Sequence, residues 1–383
     1  DNKRKDLLFA GTETGIYISW NGGKNWEPFQ LNMPVTPITD LRIHQGNLIA
    51  ATSGRSFWIL DDLDLIRQYK KDTVFSIFNP SPAYLINGSS ELDQSSPDFT
   101  GLNSSRGINP STGVVIYYQL PQLKETDVLT MEIKDASGNL VHAYSSTKDS
   151  SYKKYDGGPP AEPVLSKSKG LNRFVWNMRY STMPGVPDAY IESSYRGHKA
   201  IPGKYTVTLK MGQQKFTTDA EILVNPLYPT DAAAYTEYNS IMSRMENELT
   251  TMHKMVNNMN AKREQLESLL ASLTDEKYVA LKTEGASLVK KMKSWDEDMI
   301  QRKTKVYDDA DNFPAKFTAN YLFLINQTES DIPRINQPSL DRMNELNAEW
   351  TTLKSRGVEI LDKNIPAFNK KLWDAGIGAV WKN

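Results

Sequence analysis

The first sixty residues break into short apolar runs separated by turn residues. Leu7-Leu8-Phe9-Ala10, Gly15-Ile16-Tyr17-Ile18 and Trp26-Glu27-Pro28-Phe29 form one set of candidate strands. Residues 38–43, 47–51 and 56–60 form the next. Short β segments at such close, even spacing predict a sandwich or a propeller. From 67 to 112 the pattern lapses into polar, turn-rich chain, with Asn87-Gly88-Ser89-Ser90 and Ser95-Ser96-Pro97-Asp98, which predicts a linker. Strand patterning returns over 113–225, in Val114-Val115-Ile116-Tyr117-Tyr118, 128–133, 170–176 and 203–211.

After Asn225-Pro226-Leu227-Tyr228-Pro229 the period changes from two to between three and four. Thr230-Asp231 is placed to cap a helix, in which Tyr235, Ile241, Met242, Met245, Leu249, Met252, Met255, Val256 and Met259 share one stripe. This helix is predicted to end near 273. A second follows Thr274-Asp275-Glu276 to about 306, a third runs from Pro314 to about 329, and a fourth from Pro338-Ser339 to about 373. The methionine stripe has the spacing of a bundle core rather than of a flexible peptide groove. The expected fold class is therefore multidomain β plus α. Residues 1–66 would be incomplete propeller blades, 67–112 a linker, 113–225 a β-sandwich, and 226–383 an antiparallel four-helix bundle.

Composition narrows the function classes. A formal net charge of −1 supplies no field to hold nucleic acid or an anionic membrane, and the basic residues are not interleaved with aromatics. No apolar run approaches the roughly 18 residues of a membrane-spanning helix. The absence of cysteine excludes disulfides, thiolate metal sites and a cysteine nucleophile. The chain opens Asp1-Asn2-Lys3, the expected look of a processed or truncated start. The six N-terminal strands make at most two incomplete blades, so an upstream partner segment is also expected.

Ser19-Trp20-Asn21-Gly22-Gly23-Lys24-Asn25-Trp26 resembles the Asp-box, the Ser/Thr-x-Asp-x-Gly-x-Thr/Ser-Trp hairpin of sialidase-like and sortilin-like (BNR-type) β-propellers. Ser19, Asn21, Gly23 and Trp26 occupy its positions, with Asn21 replacing the usual aspartate and Asn25 the usual Thr or Ser. The resemblance implies a structural staple on a blade rim, away from any catalytic face, with Trp26 packed beneath the turn. Ala50-Ala51-Thr52-Ser53-Gly54-Arg55-Ser56-Phe57-Trp58-Ile59-Leu60 resembles the closing blade of large bacterial propeller proteins labelled glycosyl-hydrolase-like or sortilin-like. Those proteins tend to carry histidine where Ser53 stands, so no polar role is carried over to it. Residues 170–179, followed by Ile201-Pro202-Gly203-Lys204-Tyr205, resemble an immunoglobulin-like or fibronectin-like module with Trp176 and Tyr205 as core anchors. Ile365-Pro366-Ala367-Phe368-Asn369 with Ala375-Gly376-Ile377 resembles the same propeller family's C-terminus, which extends the likeness to Trp381. Asp72-Thr73-Val74 resembles an O-glycosylation sequon of Bacteroidetes-type envelope proteins. Together these imply export to the periplasm, outer membrane or surface of a Gram-negative cell. The implied partners are protein or glycan, or the neighbours in an outer-membrane assembly.

Candidate chemistry is sparse. His44, His142, His198 and His253 lie in different segments without metal-ligand spacing. Gly157-Gly158-Pro159-Pro160 lacks the lysine and strand-to-helix context of a phosphate loop. Two acidic clusters, Asp61-Asp62-Leu63-Asp64 and Asp308-Asp309-Ala310-Asp311, present the hard oxygens that calcium prefers. Neither has a calcium-loop pattern, so solvated or capping carboxylates and no cofactor are the expectation, with a calcium ion at either cluster as the alternative. A sialidase-type centre would need an arginine cluster and a tyrosine nucleophile, for which Arg42, Arg55 and Tyr17 do not suffice. The sequence thus predicts a non-catalytic binding or scaffolding region. The alternative is the accessory part of a glycan or peptide hydrolase whose catalytic residues lie upstream.

Overall fold

The computed structural model describes residues 1–70, 75–93 and 107–378, which mix β-sheets with a C-terminal helical region. Asp72-Thr73-Val74, Ser95-Ser96-Pro97-Asp98 and Trp381 lie outside the described residues. The chain divides into two compact units. One comprises Asp1–Lys148, Pro163–Arg179 and Ile201–Pro229; the other comprises Asp149–Glu162, Tyr180–Ala200 and Thr230–Asn383. Two stretches from within 113–225 therefore belong with the helices.

In the first unit, β1 (Leu8–Thr12), β2 (Gly15–Ser19) and β3 (Glu27–Pro28) form one antiparallel sheet. β4 (Ile38–His44), β5 (Asn47–Thr52) and β6 (Phe57–Leu60) form a second. Ile16, Met33 and Ala50 make the small core between them, with Phe9, Phe29, Ile38, Leu41 and Trp58 packed around it. Alternation then puts Ile49, Ala51, Phe57 and Ile59 on the other face of the second sheet, in register as Ile49↔Ile59 and Ala51↔Phe57. That face is open: Phe57 is 76% and Ile59 61% exposed.

A short helix, α1 (Leu63–Gln68), leads on to β7 (Ser76–Ile77) and β8 (Ala83–Tyr84). These two strands come from the stretch expected as linker, and each extends a larger sheet. β7 pairs with β9 (Val114–Leu120), which pairs with β12 (Gly170–Trp176). β8 adds in parallel to a five-stranded sheet with β10 (Leu129–Asp135), β11 (Leu140–Ser145), β13 (Gly203–Met211) and β14 (Gln214–Leu223). Period-two burial, as in Val114, Ile116, Tyr118 and Leu120, gives each strand one inward face. Rings from both sheets meet there: Trp176 contacts Tyr205 edge-on at 5.2 Å, and Tyr144 contacts Phe174 at 4.6 Å. Their polar tips are satisfied locally, Trp176 Nε1 by the Arg179 carbonyl (3.1 Å) and Tyr205 OH by the Ile201 carbonyl (2.6 Å).

Among the described residues the second unit carries five α-helices: α2 (Ala232–Ser272), α3 (Val279–Met299), α4 (Phe317–Thr328), α5 (Gln337–Glu359) and α6 (Ile365–Asp374). Asp231 caps α2 through the Ala233 amide (3.1 Å), and Asn336 caps α5 through the Ser339 amide (2.9 Å). Met242, Met245, Leu249, Met252, Val256 and Met259 are buried along one side of α2.

Two helix ends differ from the sequence pattern. The second helix stops at Met299 rather than near 306, because Ile300 turns extended and Arg302 folds back onto the Asp296 carboxylate at 2.5 and 2.7 Å. The single helix expected over 338–373 is interrupted by a π-turn at Ile360–Asn364. Pro366 lies two residues after it; it has no N–H to continue the i→i−4 ladder, and a π-turn accommodates the loss.

Trp295 is completely buried, and its Nε1 donates to the Leu353 carbonyl at 2.8 Å. Trp26, expected beneath its turn, is 44% exposed instead. Trp295→Ala should accordingly cost about 3–5 kcal/mol. Trp26→Ala should cost only about 1–2 kcal/mol, in proportion to the smaller area it buries. Urea denaturation of the two variants checks that order.

Candidate functional site

The turn that carries Ser19, Asn21, Gly23 and Trp26 is closed by its own side chains. Ser19 Oγ, buried, accepts from the Gly23 amide (2.9 Å), and Asn21 Oδ1 accepts from the Asn25 amide (2.9 Å) and from Ser19 Oγ (3.1 Å). Gly22 and Gly23 sit at φ 70° and 87°, a region open to glycine at little cost. One edge of the Trp26 indole lies near Gly23, and a little under half of the residue is open to solvent. Ser19 Oγ and Asn21 Oδ1 are thus engaged within the turn itself.

The acidic corner after β6 holds more. Asp62 adopts φ 55°, the left-handed region that a non-glycine residue seldom occupies, and it stands at the start of α1. Its Oδ2 accepts from Tyr117 OH on β9 at 3.2 Å. Arg173, opposite Tyr117 on the β9–β12 ladder, donates to the Tyr117 oxygen and to the Leu92 carbonyl (2.5 Å). Burial pushes the Asp62 carboxyl upward, beyond what the Tyr117 hydrogen bond recovers, and the neighbouring Asp61 charge adds to the rise. Burial also raises Asp61. The Tyr117 phenol is pushed up to about 12 by burial and by the Asp62 charge.

Asp64 has the opposite fate two residues on. Burial would raise it, but hydrogen bonds from Arg67 (2.5 Å) and Lys3 (3.2 Å) outweigh that and hold its carboxyl below the ordinary value. Arg67 in turn grips Asp1 through Nε at 3.0 and 3.1 Å and through Nη2 at 2.7 Å. Neighbouring carboxylates with pKa values driven apart are the usual raw material of acid–base pairs, and also of plain structural networks.

The second acidic cluster caps. Asp309 Oδ2 accepts from the Lys305 amide (2.8 Å) and the Val306 amide (3.3 Å), while Asp308 offers its carbonyl to Asn312. Asp308 and Asp309 belong to a short 3-10 turn that ends at Asp311. Among the described residues no group of three or more His, Asp or Glu side chains is placed to hold a metal ion. Nor, among them, is any helix long and apolar enough to cross a membrane.

In the second unit the helices hold the segment Tyr180–Ala200 through polar contacts. His198 is completely buried: Nδ1 lies 2.8 Å from Glu246 Oε2, Nε2 lies 3.0 Å from Asn239 Oδ1, and the ring stacks on Tyr180 at 4.2 Å. Glu246 Oε1 also accepts the His198 amide at 2.6 Å. His253 Nδ1 meets the Pro184 carbonyl at 2.7 Å, and burial drives the imidazole down to about 4. A surface groove of about 360 Å³ runs between α2 and α5, lined by Arg244, Glu248, Asn347, Lys354 and Ser355. Glu248 there accepts from Trp350 Nε1 at 2.6 Å, and Trp350 is buried, so the ring offers no stacking platform.

Sequence reasoning named Asp62 but missed Tyr117 and Arg173, which lie far along the chain and belong to an ordinary strand pattern. It set His198 and His253 aside because they lack metal-ligand spacing; no local signal marks a histidine that pairs with a distant carbonyl or carboxylate. No family model, curated protein or solved structure matches the chain.

Two pH effects follow. A carboxyl raised by folding binds its proton more tightly in the folded state, so stability falls as pH rises from 3.8 through the folded pKa of Asp62. Asn tolerates the left-handed backbone and can still accept from Tyr117. Asp62→Asn should therefore raise the melting temperature at neutral pH and leave it unchanged below pH 3.8, whereas Asp64→Asn should lower it at neutral pH. Thermal melts across pH check both signs. For His253 the unfolded chain takes up the proton first, so stability is lost between pH 6.5 and about 4, on the order of 3 kcal/mol. His253→Gln should flatten that decline in urea titrations.

Proposed function

We propose that this chain is the non-catalytic region of an exported cell-envelope protein that binds or scaffolds protein or glycan partners. In this proposal residues 1–66 are the closing blades of a β-propeller, 113–225 an immunoglobulin-like sandwich and 226–383 a helical bundle. The observation that carries it is the second N-terminal sheet. Phe57-Trp58-Ile59-Leu60 is apolar at every position, the signature of a strand meant to be covered on both faces. One face meets the core around Ala50, while Phe57 and Ile59 remain open on the other. A further blade of the same protein is the cover proposed, which would make this unit the end of a larger binding surface. The hydrolase alternative draws on the acidic corner, where Asp62 is held toward its protonated form beside Asp64, held ionised. It ranks second because the partners of these carboxyls, Tyr117, Arg67 and Lys3, read equally as a structural network.

The test begins with the intact mass and N-terminal sequence of the polypeptide isolated from its native source. A mass well above 43.3 kDa, with Phe57→Ser plus Ile59→Ser lowering the melting temperature of that longer protein, is the expected result. A native mass of 43.3 kDa, with the double substitution leaving stability unchanged, would remove the propeller proposal.

A further inference from the structure

Besides Asn369 Oδ1, three buried side-chain polar atoms among the described residues of the helical unit have no hydrogen-bond partner: Tyr155 OH, Tyr195 OH and His253 Nε2. They come from three separate stretches, Asp149–Glu162, Tyr180–Ala200 and α2. Orphaned polar atoms of this kind are uncommon in buried chain, and each costs free energy unless something meets it. Three in one neighbourhood call for a common cause.

Several contacts place them together. The Tyr195 and His253 rings are 5.7 Å apart. The Tyr155 phenol lies near enough to Tyr195 to push that hydroxyl's pKa up further, beyond the rise that burial causes. Tyr155 OH also abuts Gly185, where an added Cβ would stand 2.1 Å from it. Gly185 follows Pro184, whose carbonyl meets His253, and the Gly185 carbonyl accepts from Asn257 Nδ2 at 3.0 Å. The Gly157-Gly158 pair, which carries no phosphate-loop context, has a packing role here. A Cβ on Gly158 would stand 2.6–2.8 Å from the Tyr155 ring atoms, so glycine is what lets that ring fold back.

The chemistry of the three atoms defines what they would take. The Pro184 carbonyl can only accept, so His253 carries its proton on Nδ1 and presents Nε2 as a lone pair. Burial keeps the imidazole neutral at physiological pH and holds both phenols protonated. One acceptor and two hydroxyls that donate or accept therefore share the site. An anion would face the Nε2 lone pair and the nearby Asp188 charge that also bears on Tyr155. A cation would find no cluster of three His, Asp or Glu ligands among the described residues. The fit is a neutral molecule that donates to Nε2 and pairs with both hydroxyls. A water molecule, which can donate twice and accept twice, meets that description.

We propose that His253 Nε2, Tyr195 OH and Tyr155 OH together bind one buried water molecule, which ties two irregular segments to α2. Buried waters typically make about three hydrogen bonds to groups otherwise unsatisfied, which is the number offered here.

The test uses the whole chain. A high-resolution crystal structure should show one isolated density peak about 2.6–3.2 Å from all three atoms. The ¹⁵N resonance of His253 Nε2 should report a hydrogen-bonded acceptor in the wild type. It should move toward the bare-acceptor position in the Tyr155→Phe, Tyr195→Phe double variant, where the water loses two of its three partners. The single variant Tyr195→Phe should give a smaller displacement in the same direction and serves if the double variant does not fold. An absent peak, with the hydroxyls paired to each other or directly to His253, overturns the proposal. So does an Nε2 resonance unmoved by the double substitution.

Discussion

A stretch of chain without repetitive structure can be buried only if its backbone amides and carbonyls find partners, and the helical unit depends on meeting that condition. The segment Tyr180–Ala200 forms no helix and no long strand, yet Val186, Ala189, Ile191, Tyr195 and Ala200 in it are buried. Its backbone is satisfied by side chains from the surrounding chain. Glu246 takes the His198 amide, Glu329 the Lys199 amide, and Asn326 both the amide and the carbonyl of Ser194. His253 and Asn257, one turn apart on α2, take the carbonyls of Pro184 and Gly185. The polar residues on the inward side of α2 are thus as structural as its methionines.

The acidic corner of the first unit applies the same physics to charge. Asp62 and Asp64 are two residues apart and chemically identical, yet folding drives their carboxyls in opposite directions. Asp64 reaches two cations, whereas Asp62 reaches a phenol and is more deeply enclosed. Attraction to nearby positive charge favours the ionised form, and loss of water disfavours it; the local balance decides which prevails. The left-handed backbone at Asp62 keeps its carboxyl aimed at Tyr117, which ties the end of the second small sheet to β9.

The second small sheet is the part of the first unit whose sequence asks for more burial than this chain supplies. An all-apolar edge strand with one face left open is unusual, since an uncovered edge and face invite association. Its neighbour across β5, the face around Ala50 and Trp58, is already used.

Periodicity in the sequence determined the kinds and order of elements: short strands first, then longer alternating strands, then helices with stripes at three and four. Those signals are local, because a residue's face is set by its own strand or helix geometry. The glycine pair at 22–23 and the caps at Asp231 and Asn336 were equally local, the glycines and Asp231 plain in the chain. Tertiary structure alone decided that Asp149–Glu162 and Tyr180–Ala200 join the helices, that β7 and β8 extend sheets rather than form a linker, and that Trp26 stays half exposed. It also decided which titratable groups are perturbed. Tyr117 and Arg173 meet Asp62, and His253 meets Pro184, across 55 or more residues of chain. Pairings at that separation leave no period to read, and burial, which sets their charge, is a property of the packed molecule.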